Sequence, residues 1–175
     1  MADSSVIPQA GSCVSIAVVR VEDGQKILYT ANVGDSEIFL FTNDTQTKLT
    51  VDHHTDNEEE VKRIEDAGGE CYYMGSGDDC LRVEGQINVT RTLGDYDLKS
   101  SGVITDPYVT RTVLTPEHTY VVVASDGLWD GIGALKASHI LEDHPESTKE
   151  QAEFLVKKVL DEKSKDNISV FVIKL

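Results

Sequence analysis

The sequence is poor in cysteine and in positive charge, and it has no long apolar run. Cys13, Cys71 and Cys80 form an odd, small set without C-x-x-C spacing, which excludes a disulfide framework and offers no zinc pattern. They read as buried or half-buried thiols. Lys and Arg number 16 against 31 Asp and Glu, a formal net charge of −15. Such an excess repels phosphate backbones and anionic lipid, and no basic patch offsets it, since Lys157-Lys158 has acidic neighbours. Neither nucleic acid nor a membrane is therefore expected as a partner. No stretch approaches the roughly 18 apolar residues of a membrane span. The start, Met1-Ala2-Asp3-Ser4-Ser5, lacks the basic and apolar regions of a signal peptide, so a cytoplasmic or nuclear address is expected. Glycosylation patterns at Asn43, Asn88 and Asn167 then read as chance matches. Internal repeats, low-complexity stretches and a dividing linker are also lacking.

What is present suits a single globular domain over residues 1–175, with a flexible start over 1–10: the chain is 39% hydrophobic and 27% charged. Strand signals run from Ser12 to Val21 and from Ile27 to Thr42. The intervening Glu22-Asp23-Gly24-Gln25 predicts a hairpin with a type I′ turn. Thr55 and Glu58 have capping-box spacing, and Val61, Ile64 and Ala67 then share a helical face before Gly68-Gly69. A second box, Thr148 with Gln151, precedes a stripe of Ala152, Leu155, Val156, Val159 and Leu160. A third helix is predicted over Gly133–Glu142. Further strands are predicted at Val83–Thr92, Thr119–Ala124 and Asn167–Lys174. The unalternating run Tyr120-Val121-Val122-Val123-Ala124 predicts a strand covered on both faces, hence a β core with packed helices.

Four segments place an aspartate beside glycine or asparagine near a strand end: Asn32-Val33-Gly34-Asp35-Ser36, Thr90-Arg91-Thr92-Leu93-Gly94-Asp95, Ser125-Asp126-Gly127-Leu128-Trp129-Asp130 and Lys165-Asp166-Asn167. Singly, each is explained by turn and cap chemistry, and Asp126 can simply cap the helix or turn after it. Together they admit another reading. Carboxylates fixed at the ends of buried strands suit hard cations such as Mg²⁺ or Mn²⁺, and no His/Cys cluster offers a softer site.

At these residues the sequence resembles the type 2C metal-dependent protein serine/threonine phosphatases (PPM family). The resemblance runs from about Gly11 to the C-terminus. It is carried by Ala10-Gly11-Ser12, Ala31-Asn32-Val33-Gly34-Asp35-Ser36, Leu49-Thr50-Val51-Asp52-His53 with Glu60, Arg63-Ile64 and Gly68-Gly69, then Val89 to Asp95, Ala124 to Asp130, and Asp166-Asn167-Ile168. It implies an α+β fold, an antiparallel β-sandwich flanked by helices in αββα order, with a two-metal centre holding Mg²⁺ or Mn²⁺. It further implies hydrolysis of phosphoserine or phosphothreonine in a phosphoprotein substrate by a metal-activated water. Matched by position, Asp126 and Asp166 look like ligands of one metal, and Asp35 looks like a ligand of a third, weaker metal shared with Asp126. Asn167 is read as orienting Asp166 rather than binding metal, and Gly127 as letting the chain turn close to the ion. For Asp95, a cap, a flap anchor and a catalytic role all stay open. Met74–Arg82 falls near the family's flap, or is a surface loop.

The resemblance also has gaps. The family's phosphate-clamping arginine, a nearby acidic residue and an Asp-Gly-His-Gly block have no counterpart in Met1–Ala10, and Glu37 stands where members commonly place arginine. The chain is thus expected to be N-terminally truncated relative to the family domain and to hold one side of a metal site, with no catalytic residue assigned. A bridged pair of metals needs a separation of about 3.5–4 Å, which a missing bridging carboxylate would abolish. The same truncation would expose edges and apolar faces unless the start of the chain, a homodimer or a partner chain covers them. Three readings are open: part of a phosphatase, a phosphatase-like binding or regulatory module without catalysis, or, more blandly, a truncated gene product.

Overall fold

The computed structural model describes residues 10–75, 80–145 and 147–175. The expected flexible start, apart from residue 10, and residues 76–79 of the Met74–Arg82 loop lie outside the described residues. In chain order the elements are β1 (Gly11–Ser12), β2 (Val14–Glu22), β3 (Gln25–Val33), β4 (Glu37–Thr42), β5 (Gln46–Lys48), α1 (Glu58–Asp66), β6 (Cys71–Tyr72), β7 (Arg82–Val83) and β8 (Leu93–Gly94). A 3-10 helix (Tyr96–Ser101) comes next, then β9 (Tyr108–Val113), β10 (His118–Ala124), α2 (Asp126–Asp143), α3 (Thr148–Asp161) and β11 (Val170–Lys174). Antiparallel sheets with helices make an α+β fold, as the sequence implied. The chain groups into two compact units, one of residues 10–14, Val33–Asp35 and Asp52–Pro107, the other of Ser15–Asn32, Ser36–Val51 and Tyr108–Leu175.

The second unit is a sandwich of a three-stranded sheet, β2-β3-β9, and a four-stranded one, β11-β10-β4-β5. β10 runs antiparallel to β11 and β4, β4 to β5, and β3 to β9. The turn between β2 and β3 has positive φ at Asp23 (49°) and Gly24 (79°), the type I′ signature its sequence predicts. The run from Ile27 to Thr42 is two strands rather than one, because Gly34 takes φ +100° and sends β4 into the other sheet. β10 is buried on both faces as expected. Val121 and Val123 pack with Leu28, Ile38 and Leu40 inside the sandwich. Tyr120, Val122 and Ala124 pack against Leu128, Trp129, Leu141, Leu155 and Val159 of α2 and α3. Each fully buried aliphatic side chain contributes about 1.5–3 kcal/mol, so Val121 and Val122 anchor this strand from opposite faces. On β2 and β9, Ile16, Val18 and Val109 remain exposed, Val109 by 59%.

Both helices of this unit differ from expectation at their starts. α3 is capped by Ser147, whose Oγ accepts from the Glu150 N–H (3.4 Å), one residue before the predicted box. Gln151, shifted off the cap, is buried and its Nε2 donates to the Leu141 carbonyl (2.8 Å). Of the predicted stripe, Leu155 and Val159 are buried while Leu160 is 56% exposed, because the helix is covered on one side only. α2 joins two helical segments across a non-helical break at Gly133 (φ 68°, ψ 166°): the second follows the helix predicted over Gly133–Glu142, and the first, from Asp126, was not predicted. Its glycine-rich first part has poor helix propensity, and burial of Leu128, Trp129 and Ile132 overrides it.

In the first unit, α1 is capped by Asn57, whose Oδ1 accepts from the Glu59 N–H (3.1 Å), and not by Thr55. Thr55 is buried and donates to the Leu81 carbonyl. Gly68 (φ +91°) lies just past the helix end. Ile64 joins Val83, Leu98 and Val103 in a small core. Of the strand predicted over Val83–Thr92 only Val83, the end of β7, lies in a strand, since Glu84 and Gly85 both take positive φ (50° and 66°) and turn the chain; β8 begins just past the predicted range. β9 and β5 were not foreseen. The three cysteines are half-buried and form no disulfide among the described residues. No helix among those residues is long and apolar enough to cross a membrane.

Candidate metal centre

β10 ends at Ala124, paired with Val170 as the last rung of its ladder with β11. Ser125 closes the junction. Its N–H donates to the Ser169 carbonyl (3.1 Å), and its hydroxyl donates to the Asn167 carbonyl (3.3 Å) while accepting from the Ser169 N–H (3.1 Å). Beneath it, Trp129 Nε1 donates to the Ala124 carbonyl (3.3 Å). Asp126, first residue of α2, is thereby set beside the loop that carries Asp166. The approach is close enough to require glycine at 127, where a Cβ would lie 2.4 Å from the Asn167 carbonyl oxygen and 3.3 Å from Asp166 Cβ.

Both carboxylates are aimed by the main chain. The Gly127 N–H donates to Asp126 Oδ1 (2.8 Å) and the Asn167 N–H to Asp166 Oδ1 (2.7 Å). Asn167 thus acts on Asp166 through its backbone. An all-oxygen, anionic pair of this kind suits a hard cation: Mg²⁺ is held by one or two carboxylates and keeps several of its waters. The donors gathered in this unit fit such an ion. Among the described residues no group of three or more His, Cys, Asp or Glu side chains converges to hold an ion.

Asp35 belongs to the first unit, on the turn after β3. Gly34 before it is confined on one side by Cys13, whose Sγ lies 2.2 Å from where a Cβ would stand. On the other side is His53, 1% exposed, whose Nδ1 accepts from the Gly34 N–H (3.2 Å) and whose main-chain N–H donates to the Gly34 carbonyl (3.1 Å). Burial lowers the pKa of His53 from its ordinary value, with nearby Arg91 acting in the same sense, so the imidazole is neutral with an acceptor at Nδ1.

The same unit holds a buried ionic cluster to which sequence reasoning assigned no role. Glu60, on the inner side of α1, accepts from Arg91 Nη2 (2.6 Å) and Nε (3.0 Å), from Arg63 Nη2 (2.7 Å) and Nε (3.2 Å), and from the Thr90 hydroxyl (2.7 Å). Burial alone would raise its pKa. The hydrogen bonds from Arg91, Arg63 and Thr90 outweigh that and hold the carboxyl far below its usual range. The arginines also donate to the Gly102 (2.6 Å) and Asp106 (2.8 Å) carbonyls, tying α1 to the long connection before β9. The i, i+3 spacing of Glu60 and Arg63 was a visible signal; Arg91, far along the chain, was not. Asp95 is buried in a left-handed conformation (φ 44°, ψ 52°), its carboxylate against Gly11 and its N–H donating to the Ala10 carbonyl (3.0 Å), and its side chain makes no cap hydrogen bond to the 3-10 helix that follows. Glu37 pairs with Lys48 (2.9 Å) between β4 and β5.

The family model for protein phosphatase 2C matches residues 2–168. Protein phosphatase 2C homolog 1 of Saccharomyces cerevisiae is 40% identical over 151 residues, 86% of this chain and 50% of its own length. Protein phosphatase 2C 37 of Arabidopsis thaliana is 36% identical over 96% of this chain and 44% of its own. Among solved structures, a C. elegans sex determining protein superposes with a TM-score of 0.80 at 28% identity, covering 91% of this chain and 40% of that one. Serine-threonine phosphatase 2C from Toxoplasma gondii does so with a TM-score of 0.73 at 26% identity, covering 85% and 54%. The chain spans half or less of the length of these two curated relatives. With a family model matching residues 2–168 and a relative 40% identical over 86% of this chain, the chain belongs to the protein phosphatase 2C family.

Proposed function

We propose that the chain carries part of the active centre of a Mg²⁺- or Mn²⁺-dependent protein serine/threonine phosphatase. Asp126 and Asp166 are ligands of one divalent ion, and Asp35 is a ligand of a further one. The observation that carries this reading is the contact of Gly127 with the Asn167 carbonyl, which seats two main-chain-aimed carboxylates on adjoining loops. A bound divalent ion lowers the pKa of its water and offsets the charge of a phosphoryl group. The protein's part is to hold and aim: Ser125 fixes the loop, the two N–H groups set the carboxylate planes, and Gly127 leaves room for the approach. The substrate class is a phosphoserine or phosphothreonine side chain of a protein, and the charge of −15 disfavours nucleic-acid phosphates.

A second reading, a phosphatase-like module that binds an ion or partner without turnover, is favoured by one observation: among the described residues no group of three or more His, Cys, Asp or Glu side chains gathers to hold an ion. Calorimetry with Mn²⁺, together with phosphate release from a phosphothreonine peptide, separates the two. Mn²⁺ binding that Asp126→Asn with Asp166→Asn removes supports the ligand assignment, and unchanged affinity in that double variant overturns it. Turnover by this chain that vanishes on Asp126→Ala rules out the inactive module. Binding without turnover favours it.

A further inference from the structure

We infer that His53 is a positioning residue for Asp35, acting through Gly34. The inference rests on the reading of Asp35 as a metal ligand. Three groups of His53 are engaged in holding this turn. Its Nδ1 accepts from the Gly34 N–H (3.2 Å), its main-chain N–H donates to the Gly34 carbonyl (3.1 Å), and its carbonyl accepts from the Thr90 N–H (2.8 Å). Both polar main-chain atoms of Gly34 are therefore held by one side chain and its own backbone. Thr90 in turn donates through its hydroxyl to Glu60, which places His53 between the Asp35 turn and the Glu60 ion cluster.

Gly34 cannot relax away from this arrangement. At φ +100° it occupies a conformation that other residues rarely adopt, and Cys13 fills the space where a side chain would go. The peptide leading into Asp35 is thus held in place, which fixes the point from which the Asp35 side chain departs. A buried histidine that merely filled space would need its volume. One that positions the turn needs a hydrogen-bond acceptor two bonds beyond Cβ. These requirements separate cleanly, because asparagine carries an oxygen at the place of Nδ1 while glutamine moves its amide one bond farther out.

The test uses the full chain with His53→Asn, His53→Gln and Asp35→Asn, reading Mn²⁺ affinity by calorimetry and hydrogen exchange of the Gly34 amide. Asp35→Asn first identifies the ion-binding step that depends on Asp35. His53→Gln is expected to weaken that same step by about 10- to 100-fold, the range for residues that orient a metal ligand, and to lose protection of the Gly34 amide. His53→Asn is expected to retain both within about threefold, well below that range. A folded His53→Asn variant that loses the Asp35-dependent step overturns the inference, as does His53→Gln with unchanged affinity. If Asp35→Asn changes no step of Mn²⁺ binding, the reading of Asp35 as a ligand fails. Gly34 exchange then still reports whether His53 holds the turn.

Discussion

Asp126 and Asp166 stand where a strand buried on both faces meets its neighbour, and main-chain N–H groups aim their oxygens. Asp35 stands instead on a turn held by a buried histidine, behind which a carboxylate is clasped between two arginines. The first arrangement inherits its position from non-directional apolar burial, spread over Tyr120, Val121, Val122 and the helices, so that no single side chain decides it. The second depends on directional, charged contacts in a small unit whose core is Ile64, Val83, Leu98 and Val103. Polar networks of that kind are rigid when complete and costly when one member is lost.

The largest effect is expected where that asymmetry is greatest. Glu60→Ala leaves Arg63 and Arg91 facing each other in partial burial, and should cost about 3 kcal/mol, the lower end for breaking a buried ion pair because both guanidinium groups keep some solvent. Trp129, the single tryptophan, reports on the sandwich, while hydrogen exchange at the Ile64 amide reports on α1. Protection at Ile64 should fall by the full amount and the urea midpoint read from Trp129 should move less. Equal loss in both probes would show that the two arrangements are not energetically distinct. Acid provides a second probe of the same group. The folded pKa of Glu60 lies below its ordinary 4.5, so its contribution is fully present above pH 4.5 and is lost as the pH falls from there toward the folded value. Protection at Ile64 should decline with acid below that point in the native protein, and Glu60→Gln should flatten the decline.

Next in size is Gly127→Ala. The added Cβ meets a backbone carbonyl at 2.4 Å, which no rotamer change relieves, and overpacking of this kind costs about 1–3 kcal/mol. The loop carrying Asp166 must shift, so Mn²⁺ affinity should drop by about tenfold, as for a displaced ligand. An alanine variant with native affinity would mean that the close approach does not set the geometry of the pair.

This contrast also explains what could be read from the sequence. β10 was legible because five consecutive apolar residues admit few structures other than a strand between two layers, and the Asp23-Gly24 turn was legible because its chemistry is local. The family was legible because the short blocks around Asp126 and Asp166 stand in the order the resemblance requires. The start of α2 was not, since Gly127 and Gly131 lower its helix propensity and only the burial of Leu128, Trp129 and Ile132 compensates. β9 alternates Val109, Arg111 and Val113 with threonines and could have been found by its period of two. Glu60, Arg91 and His53 are of another kind. A charged residue gives no periodic signal of burial, and partners 31 residues apart, as Glu60 and Arg91 are, declare themselves only when the chain is folded.

The smallest effect is expected at Ser125, and it tests whether the pair is truly a backbone construction. Its hydroxyl donates to the Asn167 carbonyl and accepts from the Ser169 N–H, but the groups are partly solvated, so Ser125→Ala should cost only about 0.5–1.5 kcal/mol in urea unfolding followed at Trp129. The Ser125 N–H bond to Ser169 survives that change, as do the N–H groups that aim Asp126 and Asp166. Mn²⁺ affinity should therefore fall only about two- to threefold, far less than for an oriented ligand lost outright. Ser125→Thr, which keeps the hydroxyl, should restore it. Were Ser125→Ala to abolish binding while leaving the Trp129 midpoint unchanged, the carboxylates would be held by a side-chain network after all, and the contrast with the Asp35 turn would disappear.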